Sequence, residues 1–220
     1  MGAITTSSET GMPQKLKPLN VVRKLKDRKI RIFTPLEFKR VFGVSDYAAK
    51  WFIKTHTKEG AFLKLRRELY MLTDYPVDRY FIANRLYEPS YISFDAALSF
   101  YGIIPETVYT ITSATTRITR EFEAVGVSFV YHKVKNEAYT GYKPIKYLDS
   151  TILMAEPEKA LADYLYFVVL RKRGLYYERL NLKKIKKTKL LDYVKLFKQP
   201  KMTKLVKKIY VESRFPTRIY

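Results

Sequence analysis

TPLEFKRVFGVSDYAAKWFIKTHTKEGAFLKLRRELYML, residues 34–72, is the stretch whose reading decides the fold. Thr34 is a good helix N-cap, and Pro35 suits the first helical position, where its missing N–H costs nothing. Leu36, Val41 and Phe42 give the short helix that follows a buried side, and Gly43 can end it in the left-handed conformation. Ser45 then caps a second helix reaching about Lys58, before Glu59-Gly60 breaks it. Along that helix Ala48, Phe52 and Trp51 are read as facing the core. Asp46, Tyr47, Lys50 and Lys54 are read as facing outward, with Ala49 and Ile53 near the boundary. Residues 61–72 then alternate as a strand pair. Two short helices joined through a glycine and followed by a two-stranded ribbon make the order of a winged helix-turn-helix, whose second helix enters the major groove of DNA. The candidate DNA-binding residues are accordingly Ser45, Tyr47, Lys50 and Lys54 on the helix and Lys64, Arg66 and Arg67 on the ribbon. The same spacing also fits an ordinary helical hairpin with solvated lysines. Arg66-Arg67-Glu68-Leu69 offers neither Gly nor Asn for a tight turn, which predicts a longer or distorted wing.

Upstream, Leu19, Val22 and Leu25 recur at helical spacing between Leu16 and Arg28 and predict a further helix. Residues 1–14 read as a disordered tail. Residues 1–12 are rich in Ser and Thr and have no basic run followed by an apolar core, so they do not read as a secretory signal. Downstream of Tyr75-Pro76, Tyr91 to Ser93 predicts a strand leading into a helix over 94–101 that ends at Gly102. Val108 to Thr112 reads as a strand by its β-branched content. Residues 121–131 read as a hairpin turning at Gly126, and Thr151 to Met154 as another short strand. Pro157 opens a strongly apolar helix over 158–170, with Leu161, Leu165 and Val168 or Val169 as its buried face. After it, Leu190, Leu191, Val194 and Phe197 follow a plausible cap at Thr188, and Leu205 and Ile209 mark a helix after Pro200. The expected class is α+β: an N-terminal winged helix-turn-helix over 15–75, a compact mixed α/β domain over 76–170 and a basic helical extension over 171–220.

Charge is distributed unevenly. The chain of 220 residues carries 42 Lys and Arg against 21 Asp and Glu, a net charge of +21. Residues 15–70 hold sixteen basic and five acidic side chains, residues 71–170 nine and twelve, and residues 171–210 fifteen and two. Two basic ends thus flank a slightly acidic middle. Clustered Lys and Arg suit a polyanion, because neutralising phosphates releases counterions. A solvated, lysine-rich surface is the alternative. Cysteine is absent, which excludes disulfides, thiolate metal sites and cysteine nucleophiles. No run approaches the roughly 18 apolar residues of a membrane span, so no membrane partner is expected; the lack of cysteine fits a reducing cytoplasm, the expected compartment.

Four stretches of the middle region resemble the AbiEi antitoxin family and its stand-alone regulator relatives. They are Ser90-Tyr91-Ile92-Ser93-Phe94-Asp95-Ala96-Ala97-Leu98-Ser99-Phe100-Tyr101-Gly102-Ile103-Ile104-Pro105-Glu106; Val108-Tyr109-Thr110-Ile111-Thr112-Ser113 to Thr116-Arg117; Glu121-Phe122 through Phe129-Val130-Tyr131-His132; and Ala155-Glu156-Pro157-Glu158-Lys159-Ala160-Leu161-Ala162-Asp163. Their order and spacing, with the N-terminal motif, cover most of residues 30–170. The resemblance implies an N-terminal domain that binds inverted repeats in its own promoter. It implies a C-terminal domain that counteracts or partners a nucleotidyltransferase-like toxin. Glu68, where the family often has Gly, departs from the pattern at the wing. The expected partners are double-stranded DNA and such a toxin, with the chain a monomer or weak dimer on DNA.

Glu156, Glu158 and Asp163, and likewise Glu121, Glu123 and Asp149, invite a second reading as magnesium ligands of a metal-dependent nuclease. The structural reading is the stronger one: Glu158, beside Pro157, is a first-turn carboxylate complementing a helix dipole, and Glu121 and Glu123 alternate on a strand and face water. His132 sits in a β pattern with no second ligand nearby. No glycine-rich phosphate loop, nucleophile elbow or kinase signature is present. The expectation is a regulator and antitoxin without enzymatic activity or cofactor. A regulator without a toxin partner, a nuclease and an RNA-binding protein using the basic extension are the alternatives.

Overall fold

A computed structural model describes residues 16–172, 174 and 180–212. The tail expected over 1–14 lies outside these residues, as does the end of the basic extension from 213 onward. The class is mixed α+β. The chain divides into two compact units, Met1–Pro76 and Val77–Tyr220.

The first unit runs α1 (Pro18–Asp27), β1 (Ile32–Phe33), α2 (Pro35–Phe42), α3 (Asp46–Lys58), β2 (Phe62–Arg66) and β3 (Leu69–Leu72). Thr34 caps α2 in a reciprocal capping box with Glu37, which satisfies two of the amide donors a helix start leaves open. Gly43 ends α2 at φ 64, a left-handed conformation that glycine adopts without a Cβ clash. The Ser45 hydroxyl accepts from the Ala48 amide at 3.2 Å and starts α3. In α1 the buried residues are Val21 and Leu25, whereas Leu19 is 84% exposed in the first turn. Val22 packs partly buried against the same core, so Val22 and Leu25 of the expected stripe face inward and Leu19 alone turns outward.

β1 is too short for a periodic signal. It completes a three-stranded antiparallel sheet in the order β1-β3-β2 by pairing Ile32 with Met71 and Phe33 with Tyr70. The β2–β3 turn is tight rather than long. Arg66 faces Leu69, and the register slips between Lys64 and Arg66. Glu68 takes φ 57 in place of the glycine such a turn prefers, a backbone strain of roughly 1–2 kcal/mol. The core joins Val21 and Leu25 of α1 to Phe33, Phe38, Ala49, Phe52, Ile53, Phe62 and Leu72. Phe33 stands edge-on to Phe62 with centroids 5.2 Å apart.

The second unit is built on a six-stranded mixed sheet in the order β6-β7-β5-β4-β9-β8. Its elements are α4 (Arg79–Leu86), β4 (Ser90–Ile92), α5 (Phe94–Phe100), β5 (Ile111–Thr115), β6 (Arg120–Ala124), β7 (Val127–Lys133), β8 (Tyr142–Tyr147), β9 (Ser150–Ala155), α6 (Pro157–Val169), α7 (Lys187–Leu196) and α8 (Pro200–Glu212). The hairpin at Gly126 and the strand near Thr151 fall where the sequence places them. β5 begins three residues later than expected, at Ile111. β8 is an edge strand, and so tolerates Pro144. α4 reaches the sheet through polar contacts: the Tyr131 hydroxyl donates to the Ala83 carbonyl at 2.5 Å, and the Asn84 amide both donates to and accepts from the backbone of Leu153.

α6 is buried on almost every side, with Phe167 rather than Val168 or Val169 extending its packed face. α7 starts at Lys187, after Lys186 rather than Thr188, and buries Leu190 and Val194. α8 buries Met202, Val206 and Ile209, with Leu205 only half-buried. Both helices pack against α6.

A candidate nucleic-acid interface and a sealed acidic centre

α3 presents two unlike faces. Ala49, Phe52, Ile53 and His56 are buried, a spacing of three, four and seven residues that marks one side of a helix. The His56 Nδ1 lies 2.5 Å from a Glu59 carboxylate oxygen, and its ring packs 4.1 Å from Phe52. Opposite this stripe, Tyr47 is 79% and Trp51 57% exposed. Lys54 and Lys58 share that face, and the four side chains span an arc of about 60° at 3.6 residues per turn. Ala48 and Trp51 are thus not core residues. The core stripe passes through His56, and reading that histidine as polar turns the helix by about one residue.

The ribbon residues lie on the same unit. Lys64 and Arg67 are exposed, while Arg66 is half-buried and donates to the Arg67 carbonyl at 2.8 Å. Lys50 is ion-paired with Asp46 at 2.8 Å. That hydrogen bond holds the Asp46 carboxyl below its usual range and the Lys50 ammonium above its own. Glu68 at the ribbon tip adds to the shift of Lys50, so the tip lies within electrostatic reach of α3. Ser45 acts on the backbone as a cap. α3 and β2 pack together, which places Tyr47, Lys50, Lys54, Lys64 and Arg67 on one small unit. Trp51 and Lys58 are the residues that sequence reasoning left out.

Glu156, Glu158 and Asp163 of the second unit are engaged in its own framework. Glu156 accepts from the Tyr193 hydroxyl at 2.5 Å and pairs with Lys189 at 2.9 Å. Burial opposes ionisation there, yet these partners hold the Glu156 carboxyl below its usual range. Glu158 accepts from the Lys186 amide at 3.0 Å. The two carboxylates therefore fasten α7 to the start of α6. At Gly141 the Tyr193 ring comes so near that a Cβ would sit 2.5 Å from it.

Asp163 and Lys159, one turn apart on α6, form an ion pair with both side chains fully buried. Asp163 also accepts from the Ser93 hydroxyl at 2.6 Å and from Tyr91 at 3.1 Å. The Lys159 ammonium lies over the rings of Phe197, at 5.0 Å, and Tyr91, at 5.5 Å. Burial pushes the Asp163 carboxyl up and the Lys159 ammonium down. Ser93 faces inward to Asp163 instead of capping α5, and Phe94 follows it at φ 55. Glu121 and Glu123 are exposed on the edge strand β6. Among the described residues, no three His, Asp or Glu side chains gather as a metal site would require, and no helix is long and apolar enough to cross a membrane.

His132 packs between Phe94, at 5.0 Å, and Phe167, at 4.9 Å. Burial, with Lys172 nearby, holds its imidazole below the usual value. A histidine whose folded pKa is depressed stabilises the fold above its unfolded value of about 6.5, and that contribution is lost as pH falls through the folded value. The wild-type chain is therefore expected to lose more stability than His132→Phe between about pH 7 and pH 5. Urea midpoints at both pH values measure this, and parallel losses would rule His132 out as the cause.

No protein-family model matches the chain, and no curated protein matches it significantly.

Proposed function

We propose that the chain is a DNA-binding transcriptional autoregulator whose second unit acts as an antitoxin against a nucleotidyltransferase-like toxin, without catalytic activity of its own. The observation that carries the DNA-binding half is α3. It is a capped helix anchored through Phe52, Ile53 and His56, and it leaves Tyr47, Lys54 and Lys58 outward beside an exposed basic ribbon. The order α2, Gly43, α3, β2, β3 supports a winged helix-turn-helix with α3 as its groove-reading helix. A helix about 10–12 Å across fits a major groove about 12 Å wide. The positive charge of residues 15–70 suits a phosphate backbone.

The antitoxin half rests on the resemblance of residues 90–163 to the AbiEi family. The engagement of Glu156, Glu158 and Asp163 in pairs within the unit favours a framework role over a catalytic one. The test has two arms. Footprinting of the full chain on DNA upstream of its own gene is expected to protect two half-sites of an inverted repeat, because one groove-reading helix serves each half-site. No protection at micromolar protein would overturn the regulator reading. Where a nucleotidyltransferase-like protein is encoded alongside, co-expression is expected to relieve its toxicity even when Lys54 and Lys58 are changed to Glu. Relief that disappears with those changes would place the antitoxin effect in repression rather than in the second unit.

A further inference from the structure

Among the described residues, neither Tyr47 nor Trp51 on α3 makes a side-chain hydrogen bond, ion pair or ring contact. Tyr47 and Trp51, one turn apart, are both exposed large aromatic side chains, at 79% and 57%. Exposing an indole and a phenol side by side forgoes the stabilisation that either would gain by burial. Lys50, Lys54 and Lys58 border the pair on the same helix. A second copy of this surface would bring like charges together, which disfavours self-association. A duplex meets the same face with phosphates for the lysines and base edges for the aromatic rings.

We propose that Tyr47 and Trp51 determine sequence specificity by packing on thymine methyl groups in the major groove. The thymine C5-methyl is the apolar feature that the major groove offers, and it separates T·A from every other base-pair orientation. An aromatic edge held between lysines reads that feature by excluding water from it, whereas the lysines supply affinity without sequence information. Lys50, tied to Asp46, is held beside the aromatic step rather than extended across it. The inference rests on the DNA-binding reading above and names the chemistry by which that surface chooses its site.

A randomised double-stranded pool, enriched by the full chain, supplies the test duplex, and a copy with uracil in place of thymine removes the methyl groups alone. Trp51 is the only tryptophan, so its fluorescence reports contact at this position directly. Its emission is expected to change on binding. The uracil copy is expected to bind the wild type about fourfold more weakly for each methyl read, the equivalent of one buried methylene-sized group. Trp51→Ala and Tyr47→Ala are each expected to lessen that discrimination while retaining salt-dependent binding to unselected DNA. Both residues are exposed, so neither change disturbs the core. Equal affinity of the wild type for thymine and uracil copies would overturn the inference and leave DNA binding standing. So would conversion of a dimer to a monomer by Trp51→Ala in the absence of DNA, which would make the aromatic face a contact between copies. Failure to enrich any duplex would overturn the DNA-binding reading itself.

Discussion

Asp163→Ala is expected to destabilise the chain by about 3–5 kcal/mol, the cost of leaving one member of a buried ion pair uncompensated. Asp163 and Lys159 have no solvent-exposed side-chain surface. Removal of the carboxylate strands the Lys159 ammonium between the Tyr91 and Phe197 rings. It also deprives the Ser93 and Tyr91 hydroxyls of their acceptor. Lys159→Met leaves the carboxylate two hydroxyl donors and is expected to cost less. Asp163→Asn retains an acceptor for those hydroxyls but no charge for Lys159, and should fall between the two. A loss of this size is a large part of the roughly 5–15 kcal/mol that holds a domain folded. Urea unfolding of the full chain and the three variants ranks them. A loss below about 1 kcal/mol for Asp163→Ala would mean that water or a backbone shift reaches the pair.

That pair marks where the sequence stops being legible. Asp163 reads naturally as a candidate catalytic carboxylate while its neighbours are considered singly. Lys159 stands four residues earlier, the helical spacing that brings two side chains together, and the surrounding apolar residues already indicate a buried helix. The partners Tyr91 and Ser93 lie about 70 residues away in sequence, and no local pattern announces them. Local signals did carry α2 and α3, because Thr34, Pro35, Gly43 and Ser45 each act on the backbone within a few residues. They failed for β1 and β8. A two-residue strand has no period, and a lysine-proline sequence reads as a loop unless the strand is known to lie at an edge. They failed for Trp51 because the phase of α3 depends on His56, whose burial is set by Phe52 and Phe62. Of the residues singled out for DNA contact, Ser45, Tyr47, Lys50, Lys54, Lys64 and Arg67 are exposed and Arg66 is half-buried. The pairing of Lys50 with Asp46 was latent in their spacing of four.

Reversing charge on α3 is expected to have the largest effect on binding. Lys54→Glu with Lys58→Glu replaces two cations that face the proposed groove with two anions. Affinity for duplex DNA should fall by about a hundredfold or more at about 0.1 M salt, given the steep salt dependence of phosphate contacts. Removing a phosphate contact also lowers the slope of log affinity against log salt by about one. Two lost contacts should therefore flatten it by about two. Both side chains are exposed, so the thermal midpoint should scarcely move, and the loss is attributable to the surface. Asp46 supplies the control with the opposite sign. It is exposed on the flank of that face, in the first turn of α3, and pairs with Lys50; Asp46→Asn removes a negative charge near the path of the phosphates and frees the lysine. That variant is expected to bind more tightly and with a steeper salt slope. Anisotropy titrations of a labelled duplex across a series of salt concentrations read all of these quantities from one set of curves. An unchanged slope in the double variant would mean that α3 does not meet phosphate. Opposite responses to Asp46→Asn and to the lysine reversals place the interaction on this face of α3, because a diffuse attraction to the chain's net charge of +21 would barely register a change of one charge.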